Sequence, residues 1–211
     1  MHDLSLYVLE LLENSLRAKA TAVEILVEIC REDDVLRLSV EDNGEGIRVA
    51  PAALLDPFYT TKESKRVGLG LSLFKEALEM AHGQLTLSRS ETLGGVAVRA
   101  TAQLSHVNRP PLGDLAATLS AMVLTNSSVD FRLTLRSAEG SYRFRLPEFA
   151  KENALDIRAN VDLASAVFVA LRAELEVWKR YDLMCARERW RLAMDEQKLR
   201  AAEELDQGVN A

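Results

Sequence analysis

Two stretches of alternation dictate the centre of this chain. Val23–Cys30 and Val35–Val40 each place apolar side chains at every second position, and Glu32-Asp33-Asp34 separates them. Period two with an acidic turn between describes a β-hairpin with one face buried and one face wet. The buried face needs a cover. Just upstream, Leu4, Val8, Leu11, Leu12, Ser15 and Leu16 recur at helical spacing, which predicts an amphipathic helix over Leu4–Ala20.

The same grammar repeats downstream. Leu69–Ala81 has helical periodicity and stops at His82-Gly83, with the glycine as its stop. Gln84–Ser90 and Val96–Leu104 read as strands around Leu93-Gly94-Gly95. Pro51–Leu55 reads as a short helical turn, and the polar, aperiodic Asp56–Val67 as a loop. Asn108–Gly113, with its two prolines, is the clearest linker. A helix over Asp114–Leu124 follows, with Asp114 as N-cap, then a hairpin of Val129–Arg136 and Ser141–Leu146 around Glu139-Gly140. From Asn160 to about Leu205 the pattern is helical, and Ala164, Phe168, Leu171, Leu175 and Trp178 form a 4-3-4-3 seam suited to another helix. That seam packs back on its own domain or joins a homodimer or partner helix.

Composition excludes several classes. A net charge of -6 over 211 residues argues against a general nucleic-acid binder. No apolar run reaches the roughly 20 residues of a membrane span. The N-terminus lacks a signal peptide's basic start and apolar core. Cys30 and Cys185 have no metal-ligand spacing, which fits a reducing, cytoplasmic setting.

Four segments carry chemistry. Glu10 and Asn14 lie one turn apart on the same helix face. An amide oxygen suits Mg²⁺, and a carboxylate beside it suits a base that activates water against a γ-phosphate. Glu13 lies off that face, within reach of Arg17. Asp42-Asn43-Gly44-Glu45-Gly46 leaves the end of a strand. A buried Asp42 would accept a hydrogen bond from the exocyclic amine of adenine and leave guanine unpaired. Thr60, Thr61 and Lys62 offer two hydroxyls and an ammonium to phosphates. Gly68-Leu69-Gly70 opens a helix, whose N-terminal amides and dipole favour phosphate. Each segment alone is ordinary; the four in this order within about seventy residues are specific.

Together they resemble the N box, first glycine box, lid and second glycine box of the GHKL superfamily, the Bergerat ATP-binding fold, over residues 1 to about 105. The resemblance implies an α+β chain: a two-layer α/β sandwich, with a mixed sheet and helices on one face. A small helix-hairpin extension and a long C-terminal helix follow it. The expected divisions are residues 1–106 for ATP binding, 107–147 for the extension and 148–211 for the helical segment. By resemblance Asn14 coordinates Mg²⁺ and Asp42 binds adenine. Gly44, Gly46, Gly68, Leu69 and Gly70 shape the pocket, and Thr60, Thr61 and Lys62 belong to the lid.

In mismatch-repair-like and gyrase-like members a glutamate at the place of Glu10 is the general base, which tilts the reading toward a slow ATPase with a regulatory role. The alternatives are a kinase acting on a separate protein and a nucleotide-binding module without turnover. The chain departs from the pattern at Val96, where many relatives carry a threonine near the adenine; Thr101 could serve nearby, but is not counted among the site residues. His2, His82 and His106 occupy no helical phosphorylation motif. A protein partner is expected through the C-terminal half.

Overall fold

A computed structural model describes residues 3–46 and 69–178. The elements are α1 (Leu4–Arg17), β1 (Ala22–Cys30), β2 (Val35–Asp42), α2 (Leu69–Glu79), β3 (Gln84–Arg89), β4 (Val96–Gln103), α3 (Leu115–Thr125), β5 (Asp130–Ser137), β6 (Gly140–Arg145) and α4 (Leu146–Glu152). A further helix, α5, runs from residue 160 to the last described residue, 178. The turn expected at Pro51–Leu55, the loop at Asp56–Val67 and the helix beyond 178 lie outside the described residues.

Each helix forms for a local reason. Asp3 caps α1 by accepting from the Leu6 amide at 3.0 Å, and Asp114 caps α3 by accepting from the Ala117 amide at 3.0 Å. The turn after α2 corrects the sequence reading. The residue in the left-handed conformation is His82, at φ 54°, not the glycine that follows.

The six strands form one mixed sheet in the order β3-β4-β2-β1-β5-β6. All neighbours are antiparallel except β1 and β5, which run parallel from Ala22 opposite Asp130 to Glu28 opposite Arg136. The alternation of β1 sends Val23, Ile25, Val27 and Ile29 into the core, joined by Leu36, Leu38 and Val40 of β2 and Phe131, Leu133 and Leu135 of β5. The opposite face is charged and cross-linked. Glu28 pairs with Arg37 at 2.6 Å and Arg136 at 3.0 Å, and Glu41 with Arg99 at 2.7 Å. Helices therefore cover one face and water the other.

A lone hairpin is marginal in water. Here β5 and β6 extend the sheet beside β1, and Asp130 anchors them by accepting from Arg132 at 2.7 Å and Arg145 at 2.8 Å. Those arginines hold the Asp130 carboxyl below its ordinary range, Arg145 contributing most, against the opposing effect of burial. Sheet and core are thus continuous across residues 106 and 107, from Leu4 to Trp178. The α5 seam is covered by its own chain: Leu163, Ala164, Val167, Leu171, Leu175 and Trp178 are buried, and the Ser120 hydroxyl donates to the Ala164 carbonyl at 2.7 Å. Phe168 is half-buried, with the Arg172 guanidinium 5.5 Å above its ring. Among the described residues no helix is long and apolar enough to cross a membrane.

Candidate functional site

The site gathers where α1, the end of β2, the start of β4 and the start of α2 meet. Asp42 is the last residue of β2, on the strand's buried face. Its carboxylate is 5% exposed, which demands partners. Oδ1 accepts from the amides of Gly44 at 2.9 Å and Val96 at 3.1 Å. Oδ2 accepts from the Ser15 hydroxyl at 2.7 Å. Behind it, the Gly95 amide donates to the Asp42 carbonyl at 2.9 Å. Gly95 must lack a side chain, because a Cβ there would lie 2.3 Å from Asp42 Oδ1.

The loop beyond Asp42 is sewn to the end of α1. Asn43 accepts the amides of Thr21 and Ala22 at 2.8 and 2.9 Å. Glu45 pairs with Lys19 at 2.7 Å, and Gly46 takes φ +79°. Asp42 is therefore held in register with α1, the helix that carries Glu10 and Asn14.

Glu10 and Asn14 share one face of α1 and are exposed. With Tyr7, Leu11, Gly70, Leu71 and Phe74 they line a small cleft between α1 and α2. Tyr7 stacks on Phe74 with centroids 4.3 Å apart and planes 15° apart, locking α1 to α2. Burial, then the charges of Glu10 and Glu76, push the Tyr7 phenol above its ordinary pKa, so it stays protonated at neutral pH. Arg17 donates to Asn14 Oδ1 instead of turning to Glu13.

A neutral amide oxygen and a carboxylate, one turn apart and open to water, are the hard oxygen donors Mg²⁺ prefers, so these residues fit that ion. Among the described residues no three His, Cys, Asp or Glu form a protein-only metal cage. A cation here would complete its shell with water or phosphate oxygens.

The expected site residues thus fall into two sets. Glu10, Asn14 and Gly70 line the cleft between α1 and α2, Asp42 is joined to α1 through Ser15 with the Gly44 amide on its carboxylate, Gly46 lies in the loop after β2, and Leu69 is the first residue of α2. Thr60, Thr61, Lys62 and Gly68 lie outside the described residues. Thr101 is corrected: it pairs with Arg37 and Gln84 in the sheet, five residues along β4 from the Val96 amide that reaches Asp42. Sequence reasoning missed Ser15 as a site residue. Its signal was a hydroxyl in the apolar stripe of α1, where burial obliges it to find an acceptor.

Comparison with known proteins bears on this geometry. Residues 2–106 match the family described as histidine kinase-, DNA gyrase B-, and HSP90-like ATPase. Among curated proteins, the alginate biosynthesis sensor protein KinB of Pseudomonas aeruginosa is 35% identical over 79 residues, which is 36% of this chain and 13% of that protein. The sensor protein BasS of Escherichia coli is 33% identical over 87 residues, 40% of this chain and 24% of that protein. The chain thus spans a small part of the relatives it matches. Among solved structures, the catalytic domain of histidine kinase ThkA is 25% identical with a TM-score of 0.38, covering 46% of this chain and 63% of that one. The Aquifex aeolicus MutL ATPase domain complexed with ADP is 18% identical with a TM-score of 0.36, covering 76% and 67%.

Proposed function

Since residues 2–106 belong to the histidine kinase-, DNA gyrase B-, and HSP90-like ATPase family, we propose that this chain binds ATP with Mg²⁺ in the cytoplasm, hydrolyses it slowly and uses it as a switch. The observation that carries this is the Asp42 carboxylate, buried yet fixed by three donors, beside the Glu10–Asn14 face. A carboxylate held so rigidly selects a base with an exocyclic amine, which adenine has and guanine lacks at that place. Asn14 would hold Mg²⁺, which when bound neutralises phosphate charge. Thr60, Thr61, Lys62 and Gly68 would serve the phosphates.

Glu10 is the base in this reading. Its place on the cleft wall, one turn from Asn14, suits it to take a proton from attacking water. Phosphate release by the purified protein tests turnover, and Glu10→Ala should lower it at least about 100-fold. Undiminished release would remove Glu10 from the chemistry, and no release at all would leave a nucleotide-dependent interaction module.

The sensor proteins among the relatives favour a second reading, phosphotransfer to a separate protein. Label moving from γ-labelled ATP to a co-purifying protein would establish it. Partner contacts belong to the C-terminal half. Its α5 leaves Val161, Val169 and Val177 exposed to solvent, away from the buried seam. A homodimer through this helix would use its exposed surface, and light scattering of the full chain decides it.

A further inference from the structure

The Glu10 carboxylate lies against the start of α2. A Cβ built on Gly70 would sit 1.7 Å from Glu10 Oε2 and 2.8 Å from its Cδ. The carboxylate thus fills the space over Gly70, the second residue of α2, that any other residue type would occupy. The first-turn amides of a helix have no acceptor within it, and they form the positive end of its dipole. The first turn of α2 contains no acidic residue of its own, so its nearby anion comes from α1. Among the described residues no lysine, arginine or histidine pairs with Glu10; Arg17, one helix turn beyond Asn14, is engaged by Asn14. Among the described residues the neighbouring Tyr7 phenol, kept protonated by burial and by the charges of Glu10 and Glu76, lines the same cleft.

We propose that Glu10 is an anionic gate on the nucleotide site, its carboxylate holding the place over Gly70 at the N-terminus of α2 so that metal-free nucleotide is repelled and the magnesium complex is admitted. The inference rests on the nucleotide-binding reading above and adds a regulation to it. Glu10 is exposed and its carboxylate is the far end of a flexible side chain, so the obstacle can move. Two anions at one helix end repel unless a cation neutralises them, and the adjoining amide oxygen of Asn14 is suited to that cation.

The test is calorimetric titration of ADP, which avoids turnover, into wild type and Glu10→Gln, each in Mg²⁺ and in chelator. Glutamine keeps the shape and removes the charge. The substitution should raise affinity for metal-free ADP by about tenfold and shrink the ratio between the two conditions. Equal metal-free affinities, or a weaker variant, would overturn the gate while leaving the site intact. Failure of wild type to bind ADP even with Mg²⁺ would overturn the site reading and the gate with it. A nucleotide-free control checks the contact. Gly70→Ala should raise the melting temperature in a Glu10→Ala background, as alanine does in a helix, and raise it less or lower it in wild type. The same change in both backgrounds would show that Glu10 does not occupy that place.

Discussion

At one end of the proposed nucleotide site Asp42 is 5% exposed and accepts from three groups on different parts of the fold: Ser15 of α1, Gly44 of the following loop and Val96 of β4. At the other end Glu10 and Asn14 stand in solvent. Among the described residues the Asn14 side chain is tied to Arg17, and Glu10 rests against a glycine. The first arrangement is preorganised, so in the proposed reading recognition there needs no rearrangement. The second is open to exchange, because its groups would give way to a nucleotide and its cation. A site with a rigid base end and an exchangeable phosphate end can bind one molecule and still register the state of its phosphates.

The sharpest way to break that contrast is Asp42→Asn. The amide oxygen can keep the Gly44 and Val96 donors, and its nitrogen can donate to Ser15, whose hydroxyl reverses role and accepts. The fold should therefore survive with a melting temperature within a few degrees of wild type. The nucleotide, however, would meet a donor where it needs an acceptor. We expect ATP affinity to fall roughly 100-fold, about 2.7 kcal/mol, in equilibrium titration. Retained affinity would remove Asp42 from the site. Ser15→Ala should act more gently on binding and more on the fold. It strips Oδ2 of its buried donor, so stability should drop by about 1–2 kcal/mol in urea unfolding and affinity by about tenfold. If neither changes, the base end is less rigid than its hydrogen bonds imply.

What the sequence made legible follows the same division between local and distant causes. The helix over Leu4–Arg17 and the hairpins of β1–β2 and β5–β6 were readable because period, turn residues and caps act over a few residues. That Glu10 and Asn14 share a helix face and that Asp42 ends a strand was readable for the same reason, since each sits at a set point of an element. Partnership across the chain was not readable. Nothing in Ala22–Cys30 announces that β5 will lie parallel beside it, and the register that carries Thr101 away from Asp42 appears only when β2 and β4 pair. Ser15 looked like one more member of an apolar stripe, because what distinguishes it is a carboxylate 27 positions away. The α5 seam was seen, but periodicity cannot tell a helix's own core from another chain's. The structure settles the described part by burying Leu171, Leu175 and Trp178 at home.

The smallest effect should come from Arg17→Ala, and it probes the exchangeable end directly. Arg17 donates to the amide oxygen that would face a cation, so in the free protein it competes for that oxygen. The pair lies at the exposed end of α1, where a single hydrogen bond contributes little to the fold, and the melting temperature should move by no more than a degree or two. Removing the competitor should lower the Mg²⁺ concentration that half-saturates nucleotide binding, by about two- to fivefold, with the nucleotide held constant. If Arg17 instead turns to the phosphates once the site fills, the opposite appears: affinity for the magnesium nucleotide weakens at saturating Mg²⁺. The two outcomes separate a residue that only guards Asn14 from one that changes partners on binding. The second would make the phosphate end a true exchange of contacts, against a base end that keeps all of its own.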